Sequence, residues 1–208
     1  MAPINRLKGK VNKNGTAATS PGIVSEVKRF LHLRVEPKIT TLRQFFIEQL
    51  RDLYNAENQL IEALPKMAAA AHAAPLKRGF QVHLTETKEH ARRLERILKG
   101  LGQEPEGKTC KAMQGLVKEG SETISEDASP EVKDAALIAA AQRVEHYEIA
   151  GYGCVRTYAN LLGLKEEARV LETTLKEEAA TDKKLTAASK KINAKADKTI
   201  HSKTKGHS

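Results

Sequence analysis

Apolar residues return every three or four positions through four long stretches, the pattern of amphipathic helices that bury one face. The first begins at Thr41, where Thr41 and Gln44 have capping-box spacing, and runs through Phe46, Leu50, Leu53, Leu60 and Leu64. Pro65 lies inside this pattern and predicts a late kink or an early end. The second stretch covers about Leu76 to Lys99, with Phe80, His83, Leu84, Leu94 and Ile97 inward, and stops at Gly100 and Gly102. The third opens at Ser129-Pro130, a capping residue followed by proline at the first helical position, and reaches about Leu162. Gly163 then ends it, with Leu164 placed for the apolar contact of a Schellman cap. The fourth runs from about Lys165 to Asn193 through Ala168, Leu171, Leu175 and Leu185.

The connections differ in length. The first two helices are joined briefly, as are the last two, and short joins make antiparallel neighbours. Residues 103–129 form a long connection, in which Met113, Leu116, Val117 and Ile124 predict a helix of its own. One long crossover between two helical pairs gives an all-α, ferritin-like four-helix bundle rather than an up-and-down one.

Composition agrees with a helical core of small aliphatic residues: aromatics are 4% and tryptophan is absent from the 208 residues. The formal charge is +9, of which residues 1–40 carry +6 and residues 189–208 carry +5, leaving −2 for the middle. The sequence therefore divides into a basic extension (1–40), a helical bundle (41–190) and a basic tail (191–208). Within the extension, Ile23 to Val35 has the spacing of a short amphipathic helix. Any nucleic-acid or other polyanion partner belongs to these ends, whose simpler role is solubilising disorder. Cys110 and Cys154 make no disulfide framework and fit a reducing, cytoplasmic setting. The longest apolar run, Ala135 to Ala141, is far too short to span a membrane.

Acids interrupt the apolar stripes of all four helices. Glu57 lies on the first, Glu86 and His90 on the second, Glu145 and Glu148 on the third, and Glu178 and Asp182 on the fourth. Glu86 with His90, and Glu178 with Asp182, are four residues apart and so share a helix face. Burying carboxylates is costly unless a cation meets them, and a pair of metal ions inside a four-helix bundle meets that need. Carboxylate oxygen and imidazole nitrogen suit iron and manganese better than they suit soft, thiophilic metals. The commonest di-iron pattern sets Glu and His three apart on two helices, whereas here the separation is four and the second pair ends in Asp. His83 is expected to be a core histidine that hydrogen-bonds a ligand, with direct ligation as the lesser alternative. Against the metal reading stands the chain's 29% charged residues, since most helical acids form a solvated face; Glu89, Glu166, Glu167, Glu172 and Glu177 are expected there. Tyr54, Tyr147 and Tyr152 lie within a turn or two of the acids, as packed rings with satisfied hydroxyls or as electron relays.

With these residues in place, the chain resembles the YciE/YciF-type ferritin-like family of stress-associated bacterial proteins. Four stretches carry the match: LYNAENQLIEALPKMA at 53–68, HLTETKEH at 83–90, DAALIAAAQRVEHYEIAGYG at 134–153 and LKEEAATDKKLT at 175–186. The resemblance covers about residues 41–190 and implies a ferritin-like bundle, usually dimeric, with interior acids placed for a di-metal centre. It places Glu57, Glu86, Glu145, Glu178 and Asp182 in the matching motifs. Position 90 departs from the family, where Gln is common; His there would strengthen metal binding or change the preferred metal. The function expected is a stress protein holding two iron or manganese ions per chain, with peroxide- or dioxygen-consuming redox activity as its enzymatic form. The non-enzymatic alternative is a helical stress protein that binds DNA or another polyanion through its basic ends.

Overall fold

The computed structural model describes residues 39–204, with side chains as far as residue 198. The stretch Ile23 to Val35 and the rest of the basic extension before Ile39 lie outside the described residues. Five helices follow in order: α1 (Leu42–Ala70), α2 (Ala74–Gly100), α3 (Lys111–Ser125), α4 (Pro130–Leu161) and α5 (Lys165–Thr204). The four long helices form the ferritin-like bundle, and α3 lies in the long crossover between α2 and α4.

The helix ends are set by local chemistry legible in the sequence. Thr41 and Gln44 complete a reciprocal capping box at the start of α1. Gly163 (φ 75°) closes α4: its N–H donates to Asn160 O at 3.1 Å, and the Leu164 N–H to Ala159 O at 2.9 Å. That is the Schellman pair of bonds, and a positive φ there is open to glycine without a Cβ penalty. The start of α2 has a distant cap. Asp134 of α4 accepts the backbone N–H of His72 at 2.8 Å and of Ala73 at 2.7 Å. The end of α3 is closed by Lys133, whose buried ammonium donates to the carbonyls of Thr123, Ile124 and Glu126.

Two helix boundaries differ from the sequence reading. α1 neither breaks nor ends at Pro65 but continues to Ala70. Leu64, Met67 and Ala68 on either side of the proline are buried, and that packing offsets the roughly 3 kcal/mol that a proline costs in a helix interior. α5 runs past Asn193 to Thr204. The segment beyond 193 loses its apolar stripe but is rich in Ala and Lys, good helix formers, and meets no glycine before Gly206.

The core falls into two apolar clusters. One gathers Leu60, Leu64, Phe80, Leu137, Ile138 and Leu185. The other gathers Phe46, Leu50, Leu94, Leu98, Tyr152 and Leu171. Along every long helix the sequence passes from one cluster to the other through a polar interval. Glu57 falls between Leu53 and Leu60, His83 and His90 between Phe80 and Leu94, Glu145 and Glu148 between Ala141 and Tyr152, and Glu178 between Leu171 and Leu185. The four helices thus raise one polar layer across the middle of the bundle.

Candidate metal centre

Six side chains make up this layer, and all six are buried: Glu57, His83, His90, Glu145, Glu148 and Glu178. They fall into two groups of ligand atoms, each within 4.8 Å of one another: His83, Glu145, Glu148 and Glu178 in one, Glu57, His90 and Glu178 in the other. Glu178 belongs to both. The two histidines are seven residues apart on α2, two helical turns, so both face the interior.

Many polar atoms of the layer make no well-directed hydrogen bond, and the two imidazoles meet the acids only as close ion pairs. Both carboxylate oxygens of Glu148 and of Glu178, and one oxygen each of Glu57 and Glu145, are buried without a hydrogen bond, as are both ring nitrogens of His83 and Nδ1 of His90. His90 Nδ1 stands 2.8 Å from Glu178 Oε1 and 3.6 Å from Glu57 Oε1, and His83 Nε2 stands 3.2 Å from Glu145 Oε1. Buried polar atoms in native proteins are almost always satisfied, so a cluster of orphans marks a place for an ion or ordered water. Four carboxylates bring −4, which two divalent cations would balance. The donor set, four carboxylates and two imidazoles, fits such ions.

Electrostatics agree with a site that holds protons until cations arrive. Burial first, and then the neighbouring Glu178 carboxylate, pushes Glu57 up to about 8. Burial likewise pushes Glu145 up to about 7, and Glu148 well above the ordinary carboxylate range. Burial pulls His90 down, but Glu178 and Glu57 outweigh it and raise the imidazole to about 9. His83 is raised well above its usual value, because Glu145 and Glu86 outweigh its burial. Carboxylates packed this closely cannot all ionise without compensating positive charge.

Around this layer lies a second ring of contacts. The Nε2–H of His90 donates to Glu177 Oε2 at 2.9 Å, and Arg93 clamps the same carboxylate, with Nη2 at 3.2 Å from Oε1. Burial pushes Glu177 up, yet its bonds to Arg93 and His90 hold it below the usual carboxylate range. The Tyr152 hydroxyl donates to Glu57 Oε1 at 2.5 Å. Tyr147 is turned away from the layer and donates to Asp52 at 2.5 Å, with Cys110 Sγ 2.9 Å from its hydroxyl.

Of the seven residues singled out in the sequence, Glu57, His90, Glu145, Glu148 and Glu178 converge in the layer. Glu86 is at its edge: Oε2 is 3.5 Å from His83 Nδ1 and from the Thr181 hydroxyl, and Oε1 is 3.7 Å from Lys184 Nζ. Asp182 is not brought in. It accepts from Gln142 Nε2 at 3.0 Å and lies 3.4 Å from His146 Nε2, on the seam between α4 and α5. The role of Glu177 is the feature that sequence reasoning missed, and His83, read first as a partner of a ligand, stands among the ligand atoms themselves. Glu177 was expected on the surface, whereas 34% of its side chain is exposed and its carboxylate reaches the buried face of His90. The signal for His83 was its place on the inward stripe beside Phe80. Nothing in the sequence distinguished Glu177 from a solvated acid.

Fold and layer together define a ferritin-like bundle with a buried histidine–carboxylate centre. Residues 41–197 match the family described as a domain of unknown function, DUF892, and the chain belongs to that family. Protein YciF of Escherichia coli K12 is 44% identical over 159 residues, which span 76% of this chain and 96% of that protein. The crystal structure of the E. coli stress protein YciF superposes with a TM-score of 0.73 at 42% identity, covering 76% of this chain and 99% of the other. YcfI from Rhodopseudomonas palustris gives a TM-score of 0.70 at 44% identity, over 73% and 96% of the two chains. Among the described residues no helix is long and apolar enough to cross a membrane.

Proposed function

We propose that the central layer binds two divalent ions, iron or manganese, and that the protein is a stress-associated di-metal protein of the YciF type. The observation that carries this is the pair of ligand groups joined at Glu178, lined by buried oxygens of Glu57, Glu145 and Glu148 that accept no hydrogen bond. His83, Glu145 and Glu148 would hold one ion, Glu57 and His90 the other, and Glu178 would bridge them. Glu86 stands ready at the edge as a further oxygen donor or as the acceptor that orients His83. Asp182, in its present contacts, serves the α4–α5 seam.

Bound iron or manganese would supply one-electron redox chemistry toward dioxygen or peroxide. The protein's own part is to position and to exclude. Glu177 accepts the Nε2 proton of His90 and so leaves Nδ1 free to face the acids. Tyr152 fixes one oxygen of Glu57 and leaves Oε2 without a partner. On the side of Leu50, Leu94 and Tyr152 the apolar cluster closes the layer off from bulk water. The protons held by Glu57, Glu145 and Glu148 would leave as cations enter.

Elemental analysis after reconstitution with iron(II) and manganese(II) tests the reading. About two ions per chain are expected, and none from either metal would overturn it. The homodimer implied by the family resemblance is part of the same proposal; a monomeric mass by light scattering would remove it.

A further inference from the structure

A cavity of about 420 Å³ opens beside the polar layer, between the Pro75 end of α2 and the Leu185 end of α5. At the opposite end of this helix pair, Arg93 of α2 ties α5 through Thr174 and Glu177. On the cavity side the gap reaches inward to Leu60, Leu64 and Met67 of α1 and to Val144 of α4. The walls are overwhelmingly apolar; His83, Glu86 and Glu145 face the inner end, and Arg78, Thr181 and Lys184 are the other polar side chains of the lining. This volume far exceeds the voids of a close-packed core and falls in the range of small-molecule sites, about 300–1,000 Å³.

The mouth is shaped by three exposed residues of α2. Val82 presents an apolar side chain that is 53% exposed. Gly79 contributes no side chain, and a Cβ there would meet nothing within 4 Å. Arg78 is exposed at the rim and makes no hydrogen bond or ion pair among the described residues, whereas Lys184 is already engaged with Glu86.

We infer that this cavity binds an aliphatic carboxylate of medium chain length. The carboxylate would lie on Arg78 at the mouth, and the hydrocarbon would run inward along Leu76, Phe80 and Leu64 toward His83 and Glu145. Charge sets this orientation, because Arg78 stands at the mouth without an anionic partner among the described residues, whereas at the inner end His83 is already engaged by Glu86 at 3.5 Å and Glu145 at 3.2 Å. Length agrees as well: Arg78 to Glu86 spans about 12 Å at 1.5 Å per residue, comparable to the extended hydrocarbon of a medium-chain acid. Binding needs no metal in the adjoining layer, so it stands or falls apart from the metal reading.

The experiment is calorimetric titration of the full-length, metal-free chain with dodecanoate below its micellar concentration. One saturable site per chain is expected. Each methylene buried strengthens binding about fourfold, so decanoate, two methylenes shorter, should bind about fifteenfold more weakly. Gly79→Leu fills the mouth while suiting a helix better than glycine does. This variant should keep its helicity and lose affinity at least about tenfold. Arg78→Ala should weaken dodecanoate about threefold or more and leave dodecan-1-ol unchanged, since only the acid has a charge to place there. Absence of saturable binding would overturn the proposal, and so would equal affinity of the wild type and Gly79→Leu. A change in solution mass on Gly79→Leu substitution would also overturn it, because the mouth would then be an interface between copies.

Discussion

His90 and Glu177 are joined by a 2.9 Å hydrogen bond that points the imidazole the other way, with Nδ1 toward Glu178 and Glu57. The carboxylate can only accept, so Nε2 carries a proton, and Arg93 holds Glu177 in place behind it. Carboxylates that orient a metal-binding imidazole in this way are typically worth about 10–100-fold in metal affinity. Glu177→Ala is therefore expected to weaken metal binding by about that factor while leaving helicity intact. Competition titration against a metal-sensitive dye measures it, and Glu177→Gln should restore part of the loss because its amide oxygen can accept.

Glu178 and Asp182 are one helical turn apart, yet only Glu178 enters both ligand groups. Glu178→Gln is expected to drop the metal content below one ion per chain. Without metal the same variant should melt at a lower temperature, because it takes from the buried His90 its nearest carboxylate partner, 2.8 Å away. Asp182→Asn should keep two ions. Elemental analysis of the two variants side by side separates these outcomes.

The pH dependence of the metal-free protein follows from the same crowding. Glu57 is raised to about 8 and Glu145 to about 7 in the fold, each by burial foremost. An acid raised above its unfolded value contributes stability that is full below the unfolded value, near 4.5, and is lost as pH passes the folded one. His90, raised to about 9, contributes stability that is full below about 6.5 and lost as pH climbs through 9. All three losses have the same direction, so the metal-free protein should melt progressively lower from about pH 5 to pH 9, by at least about 4–8 °C. Bound cations would take the place of the protons, and stabilisation by added metal should grow over the same interval. Thermal melts with and without metal across this range check both slopes.

Lys133 is buried and gives its ammonium protons to three carbonyls that close α3. Lys133→Met keeps most of the aliphatic stem but leaves those carbonyls without a donor. The expected loss is about 2–3 kcal/mol, in the range for hydrogen bonds from charged groups. Urea unfolding measures the loss, and hydrogen exchange should show the end of α3 fraying first.

Helix number, order and most helix ends were legible in the sequence because they rest on short-range rules. Thr41 with Gln44, Pro130 at the first turn and Gly163 with Leu164 mark their boundaries within a few residues, whereas the Ser129 hydroxyl, expected to cap α4, makes no cap bond. Pro65 misled because its cost is local, whereas the packing of Leu64 and Met67 that offsets it is not. The distant cap from Asp134 to His72 and Ala73 was equally hidden, for it joins residues more than 60 positions apart.

The candidate site divides in the same way. By itself the sequence determined that acids and histidines interrupt the apolar stripe of every long helix, since a period of 3.6 residues fixes which positions share a face. Only the tertiary structure decided which of them meet. His83 came into the layer beside Glu145 and Glu178, Glu177 became the partner of His90, and Asp182 turned to the seam with Gln142 and His146. Periodicity gives the angle of a side chain around its own helix. Which neighbour stands opposite depends on the rotation and axial offset of a second helix, and these are set by packing across the whole core.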